Sequence, residues 1–128
     1  MGLWALDAPE ELGGANLPAV ALMAVNEEPW RTVVPFTLPP DSPNLHMLMA
    51  VASPEQKNKY MEPYARGETK SAIAIPEPGA GADPSGMTTK AEMVGNEWVI
   101  NGRKILVSRV PQADFIILMA RVGSNTSS

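Results

Sequence analysis

Residues 71–86 read SAIAIPEPGAGADPSG, and the fold turns on how this stretch is understood. A short run of small and branched apolar residues, with Ile73 and Ile75 on one face, passes directly into a loop of prolines, glycines and alanines. The loop carries Glu77 and Asp83 and no base. It has two possible uses: it turns the chain, or it presents bare backbone to a ligand. Residues 79–83 lie between Pro78 and Pro84, so each has an N–H to offer. Gly79 and Gly81 let the chain bend and let a ligand come close, as in an anion nest. There is no Gly-Lys-Ser/Thr and no G-x-G-x-x-G, so this is neither a P-loop nor a dinucleotide fingerprint. Taken alone, the loop reads as a turn.

Upstream of residue 70 the pattern is helical and interrupted by proline. Asn16 is a candidate N-cap, with Pro18 in the first turn. Leu17, Val20, Ala21, Ala24 and Val25 recur at helical spacing across 17–28, and Pro29 is expected to stop that helix. Prolines 35, 39, 40 and 43 make 35–43 extended. NLHMLMAVA (44–52) predicts a short apolar helix holding His46, expected to be a partly buried structural histidine because no acid or second histidine stands nearby in sequence. SPEQ (53–56) has the pattern of a capping box with proline at the first helical position. Tyr60 and Tyr64 follow on one face, Pro63 kinks or ends the helix, and Gly67 is the exit.

Downstream the period is two. Residues 89–94, 97–101 and 103–108 predict three strands in a meander, with turns at Gly95-Asn96 and Asn101-Gly102. In KILVS (104–108), Leu106 and Ser108 share one face and Ile105 and Val107 the other, which alone is an ordinary sheet surface. FIILMARV (115–122) is apolar on both faces and predicts a covered strand, and GSNTSS (123–128) a tail without structure. No internal repeat is present.

Composition narrows the function. The chain has 128 residues, a net charge of -4 and a pI near 4.9, with hydrophobic residues at 45%. That suffices for one compact domain or a piece of a larger protein. An acidic chain without a Lys/Arg cluster argues against nucleic acid. There are no cysteines and one histidine, so no disulfide and no metal site is expected. The longest apolar run, LPAVALMAV, is about half of the ~20 residues a membrane span needs. MGLWALDAPEE shows no basic leader pattern, and Leu6 breaks the myristoylation pattern, so a cytoplasmic protein is expected. The 8 methionines read as core fillers. No nucleophile, base and orienter set can be assembled, and no catalytic residue is assigned.

Four pieces, in order, resemble the acyl-CoA dehydrogenase family. GLWALDAPEELGG (2–14) resembles the family's segment leading into a helix of its N-terminal helical domain. SPEQKNKYMEPYARGE (53–68) is similar to the family's EQK-x-x-Y-x-x-P-x-x-x-G-E helix. AIAIPEPGAGAD (72–83) resembles its signature F-A-x-T-E-P-G-A-G-S-D, and GNEWVINGRKILVS (95–108) its G-D-x-Y-V-I-N-G-x-K-x-W/F-I-T. The resemblance spans residues 2 to 122. It implies an α+β fold, with N-terminal helices followed by an antiparallel, incomplete β-barrel-like sheet. Residues 1–70 would be part of the helical N-terminal domain, 71–122 part of the FAD-binding middle β-domain, and 123–128 a disordered tail.

The resemblance further implies a flavoprotein oxidoreductase lineage that oxidises acyl-CoA at Cα–Cβ. Carried over by position, the FAD wall comprises Ile73, Ile75, Pro76, Gly81, Ala82, Leu106, Val107 and Ser108. Three positions depart from the family pattern. Pro76 replaces a threonine and lacks an N–H, Ala82 replaces a serine, and Leu106 replaces an aromatic. Each lost hydrogen bond is worth roughly 0.5–1.5 kcal/mol, so weak or absent FAD binding is expected. In most members the catalytic glutamate lies in helices after the β-domain. The chain therefore reads as a truncated relative, inactive alone, that associates as a homo-oligomer. The alternative is a stand-alone binding or assembly module without catalysis.

Overall fold

The computed structural model describes residues 4–33, 42–81 and 83–123. The chain divides into two compact units, Met1–Ser71 and Ala72–Ser128.

The first unit is helical. Its N-terminal segment folds as a tight loop. Leu17 N donates to Leu6 O at 2.7 Å, and Asn16 N to Ala8 O at 2.9 Å, which buries Ala5 and Ala8. Asn16 adopts φ 46 in this loop and so does not cap the next helix. That position falls to Pro18, and α1 runs Ala19–Trp30. Pro29 sits inside its last turn instead of stopping it, and Thr32 N closes the end on Pro29 O at 3.1 Å. Prolines 35, 39 and 40 lie outside the described residues; Pro43 lies inside α2, Ser42–Val51.

The SPEQ expectation holds. Ser53 and Gln56 form a reciprocal capping box at the start of α3, Pro54–Gln56. The helix widens into a π segment, Lys57–Met61, then returns to α form as α4, Glu62–Ala65. A proline ring at 63 would press on the carbonyl four residues earlier, and a wider turn relieves that clash. Gly67 is the exit, at φ 73. The core of this unit includes Leu45, Met61, Tyr64 and Ala65. No helix of the described residues is long and apolar enough to cross a membrane.

The second unit carries small sheets. β1, Ser71–Ala74, pairs with β4, Phe115–Leu118. A separate three-stranded sheet has the order β3-β2-β5, with β2 Lys90–Val94, β3 Glu97–Asn101 and β5 Arg121–Val122. β2 and β3 form the expected hairpin, with Val94 opposite Glu97 and Gly95 at φ 63 in the turn. β5 pairs with β2 in parallel, so this sheet is mixed and not purely antiparallel.

Three strand expectations are corrected. Residues 103–108 are not a strand, because Leu106 (φ 53) and Arg109 (φ 65) turn the chain out of extended geometry. Asn101-Gly102 is not a hairpin turn. Gly102 is needed for another reason, since a Cβ there would overlap Thr89. The 115–122 run is neither continuous nor covered: Ile116 and Leu118 are exposed, and the chain changes partners midway. Met119 N donates to Ala74 O at 3.1 Å, and Arg121 N to Thr89 O at 2.8 Å. Within β1 the alanines, not the isoleucines, form the buried face, with Ala72 and Ala74 inside and Ile73 half-buried.

Candidate functional site at the Glu77 junction

The loop after β1 is organised by Glu77, whose side chain is 1% exposed. Its carboxylate accepts from Lys104 Nζ at 2.8 Å, from Thr88 N and Thr88 Oγ1 at 2.6 Å each, and from Thr89 N at 3.0 Å. Buried charge persists only where it is paired and hydrogen-bonded, and here it is both. The Lys104 ammonium and then the Thr88 and Thr89 donors hold the Glu77 carboxyl well below the usual carboxylate range. Lys104 Nζ also donates to Ile75 O at 3.0 Å, and Ile105 N donates to Pro76 O at 3.0 Å. The segment 75–77 is thereby tied to the segment 104–105, although 27 residues separate Glu77 from Lys104.

Beyond Glu77 the loop is a turn. Ala80 N donates back to Glu77 O at 3.2 Å, so that N–H is committed and not offered outward. A Cβ at Gly79 or Gly81 would meet nothing within 4 Å, so the backbone there stands open. Asp83 accepts from Ser85 Oγ at 2.7 Å and from Ser85 N at 2.9 Å, and these bonds lower its pKa.

The wall residues expected from sequence are placed as follows. Ile73, Ile75, Pro76 and Val107 are half-buried, and Gly81 and Ser108 are exposed. Leu106 is 87% exposed. Ala82 lies outside the described residues. The 75–76 and 105 backbones are brought into contact. Lys104, Thr88 and Thr89 were not anticipated from sequence, and Glu77 was noted only as a loop acid. No local signal singled them out: Lys104 follows a second cation, Arg103, and its partner lies in a distant stretch of the chain.

In the first unit His46 is not a partly buried histidine. It is 56% exposed at the side chain, and its Nε2 lies 3.2 Å from Oδ2 of the nearly buried Asp7. The acid missing from its sequence neighbourhood is supplied by the N-terminal loop. No cluster of metal-ligating side chains occurs among the described residues.

With this geometry in view, residues 1–68 match the model of the acyl-CoA dehydrogenase N-terminal domain, and residues 72–128 that of the acyl-CoA dehydrogenase middle domain. The chain belongs to the acyl-CoA dehydrogenase family. It is 42% identical over 127 residues to (R)-benzylsuccinyl-CoA dehydrogenase of Thauera aromatica, covering 95% of this chain and 31% of that protein. Among solved structures, the ChsE4-ChsE5 complex from Mycobacterium tuberculosis matches with a TM-score of 0.82 and 30% identity, over 94% of this chain and 32% of that one. The FAD complex of PigA matches with a TM-score of 0.58 and 33% identity, over 61% of this chain and 20% of that one. This member of the family thus spans about a third of the length of the curated relative it matches.

Proposed function

We propose that these residues supply part of the flavin wall of an FAD-dependent acyl-CoA dehydrogenase. In this proposal 1–70 belong to the helical N-terminal domain and 71–122 to a barrel-like middle β-domain. The observation that carries it is the junction itself: the two stretches assigned to the flavin by resemblance, 73–76 and 106–108, are adjoined through Ile105 N to Pro76 O at 3.0 Å. The residues suit a flat group. Gly79 and Gly81 leave room for close approach of backbone, Leu106 presents an exposed apolar side chain, and the exposed Ser108 holds a hydroxyl at the edge. When bound, FAD supplies the two-electron acceptor for Cα–Cβ oxidation of an acyl-CoA thioester. Ile73, Ile75, Pro76 and Val107 would exclude water from one flavin face, and Gly81 and Ala82 would approach the pyrophosphate.

The fit is weaker than the family pattern. Pro76 donates no N–H, and its carbonyl is already occupied by Ile105. Ala82 has no hydroxyl. The 128 residues alone should therefore bind FAD weakly and turn over no acyl-CoA, since none of them is assigned as the base for the α-proton. Flavin affinity measured by fluorescence quenching tests this. Pro76→Thr with Ala82→Ser should tighten binding, and equal affinity in wild type and double variant would remove these positions from the cofactor site.

A second reading is an assembly module in a cytoplasmic homo-oligomer. It is favoured by the β2–β3 hairpin, where Met93, Val94, Trp98 and Ile100 are each at least half exposed. A colourless, concentration-independent oligomer in light scattering would support it over the flavin wall.

A further inference from the structure

We infer that Glu77 and Lys104 form a latch that sets the spacing between the two stretches of the proposed flavin wall, acting as positioning residues without touching the flavin. The inference rests on the flavin-wall reading for its consequence, but its geometry stands independently of FAD. The 75–77 segment leaves β1 as a proline-rich loop, and the 104–109 segment leaves β3 with positive φ at Leu106 and Arg109. Neither segment belongs to a strand. Their registration depends instead on particular bonds.

Lys104 supplies two of these bonds from one ammonium, to Glu77 Oε1 and to Ile75 O. The side chains of Lys104 and Glu77 are 8% and 1% exposed. Glu77 is held in turn by the two consecutive backbone N–H groups of Thr88 and Thr89. Thr89 immediately precedes β2, so the latch is anchored to the hairpin sheet. Three chain segments therefore converge on one carboxylate: 75–77, 88–89 and 104–105. Removing Lys104 takes away its bonds to Glu77 and Ile75 and leaves Ile105 N to Pro76 O to hold the 104–109 segment to the loop, while the β2–β3 pairing should stay in place.

Hydrogen exchange in the 128-residue chain without flavin tests the latch directly. In Lys104→Met, exchange at the Ile105 amide, which bonds Pro76 O, should rise about tenfold or more, as expected for loss of a charge-assisted bond. The amides of Val94 and Glu97 in the hairpin should exchange as in wild type. Should Lys104→Met fail to fold, Glu77→Gln/Lys104→Met removes both charges and is read in the same way. Unchanged protection at Ile105 in the variant that folds would overturn the latch, as would equal acceleration throughout the hairpin. FAD itself is the probe for the consequence. The variant should bind it about tenfold more weakly than wild type, and Lys104→Arg, which keeps a cation, should recover part of that loss. Wild type and variant binding FAD equally would refute the positioning role. Where the wild-type chain takes too little FAD to measure, the comparison is made in the Pro76→Thr/Ala82→Ser background; no FAD binding there would count against the flavin-wall reading instead, and the exchange comparison would still decide the latch.

Discussion

The two units each hold a carboxylate removed from water, and they treat it differently. In the second unit Glu77 is surrounded by donors: an ammonium, a hydroxyl and two backbone N–H groups. In the first unit Asp7 is nearly as buried, but its ionisable partner is the half-exposed ring of His46 at 3.2 Å. Burial alone does not determine what a charge does to a fold. What matters is how much of the charge's lost hydration is replaced by fixed donors, and whether the partner is itself removed from water. Glu77 organises the segments around it, whereas His46 decorates an aspartate from outside.

The largest effect expected from this contrast is a response to acid. The folded-state pKa of Glu77 lies below its ordinary value of 4.5. A depressed carboxylate stabilises the fold fully at pH above the unfolded value, and the contribution is lost as pH falls towards the folded one. Asp83 shifts in the same direction and adds to the trend. Urea midpoints should therefore fall progressively as pH drops below about 5. Glu77→Gln, which cannot titrate, should show a lower midpoint at neutral pH and a flatter descent. Parallel wild-type and variant curves would mean that Glu77 is not the titrating hub.

A steric substitution sharpens the same comparison without altering charge. Gly102 lies so close to Thr89 that an added Cβ would overlap its backbone and side chain. Thr89 N is one of the donors to Glu77, so Gly102→Ala should press directly on the junction. Overpacking of this kind costs about 1–3 kcal/mol. Gly79→Ala is the control, because its Cβ meets open space and it should stay within about 0.5 kcal/mol of wild type. Chemical denaturation of the pair decides it, and equal midpoints would show that the 102–89 contact relaxes freely.

How legible these features were depended on range. The capping box at Ser53 and Gln56 was readable because its partners are three residues apart. The Gly95-Asn96 turn was readable for the same local reason. Asn101-Gly102 has the same chemistry, yet its glycine is dictated by Thr89, a tertiary neighbour. Residues 103–108 alternate as a strand should, but the positive φ at Leu106 carries no local signature. In 115–122 apolarity on both faces suggested cover, whereas the segment exchanges one strand partner for another at Met119 and Ala120. At the candidate site the two motif stretches could be picked out by resemblance. The ionic connection between them could not, since each residue of that pair is unremarkable in its own neighbourhood.

The smallest expected effect tests the other side of the comparison. His46→Ala removes a partner from Asp7, and if burial of the aspartate were decisive, the first unit should suffer as the second does when Lys104 is lost. The geometry argues otherwise. The His46 ring is more than half exposed and remains largely hydrated in the fold, so the ring itself has given up little hydration to reach Asp7. Pairs of this kind contribute about 0–1 kcal/mol. The loop carrying Asp7 is also held by backbone bonds that do not involve His46, among them Leu17 N to Leu6 O at 2.7 Å and Ala15 N to Ala5 O at 3.1 Å. Amide exchange at Leu17 reports on that loop locally, and in His46→Ala it should slow or quicken by no more than about fivefold. A change of a hundredfold or more would place Asp7–His46 in the same class as Glu77–Lys104, and partner exposure would then fail as the distinction between the two units.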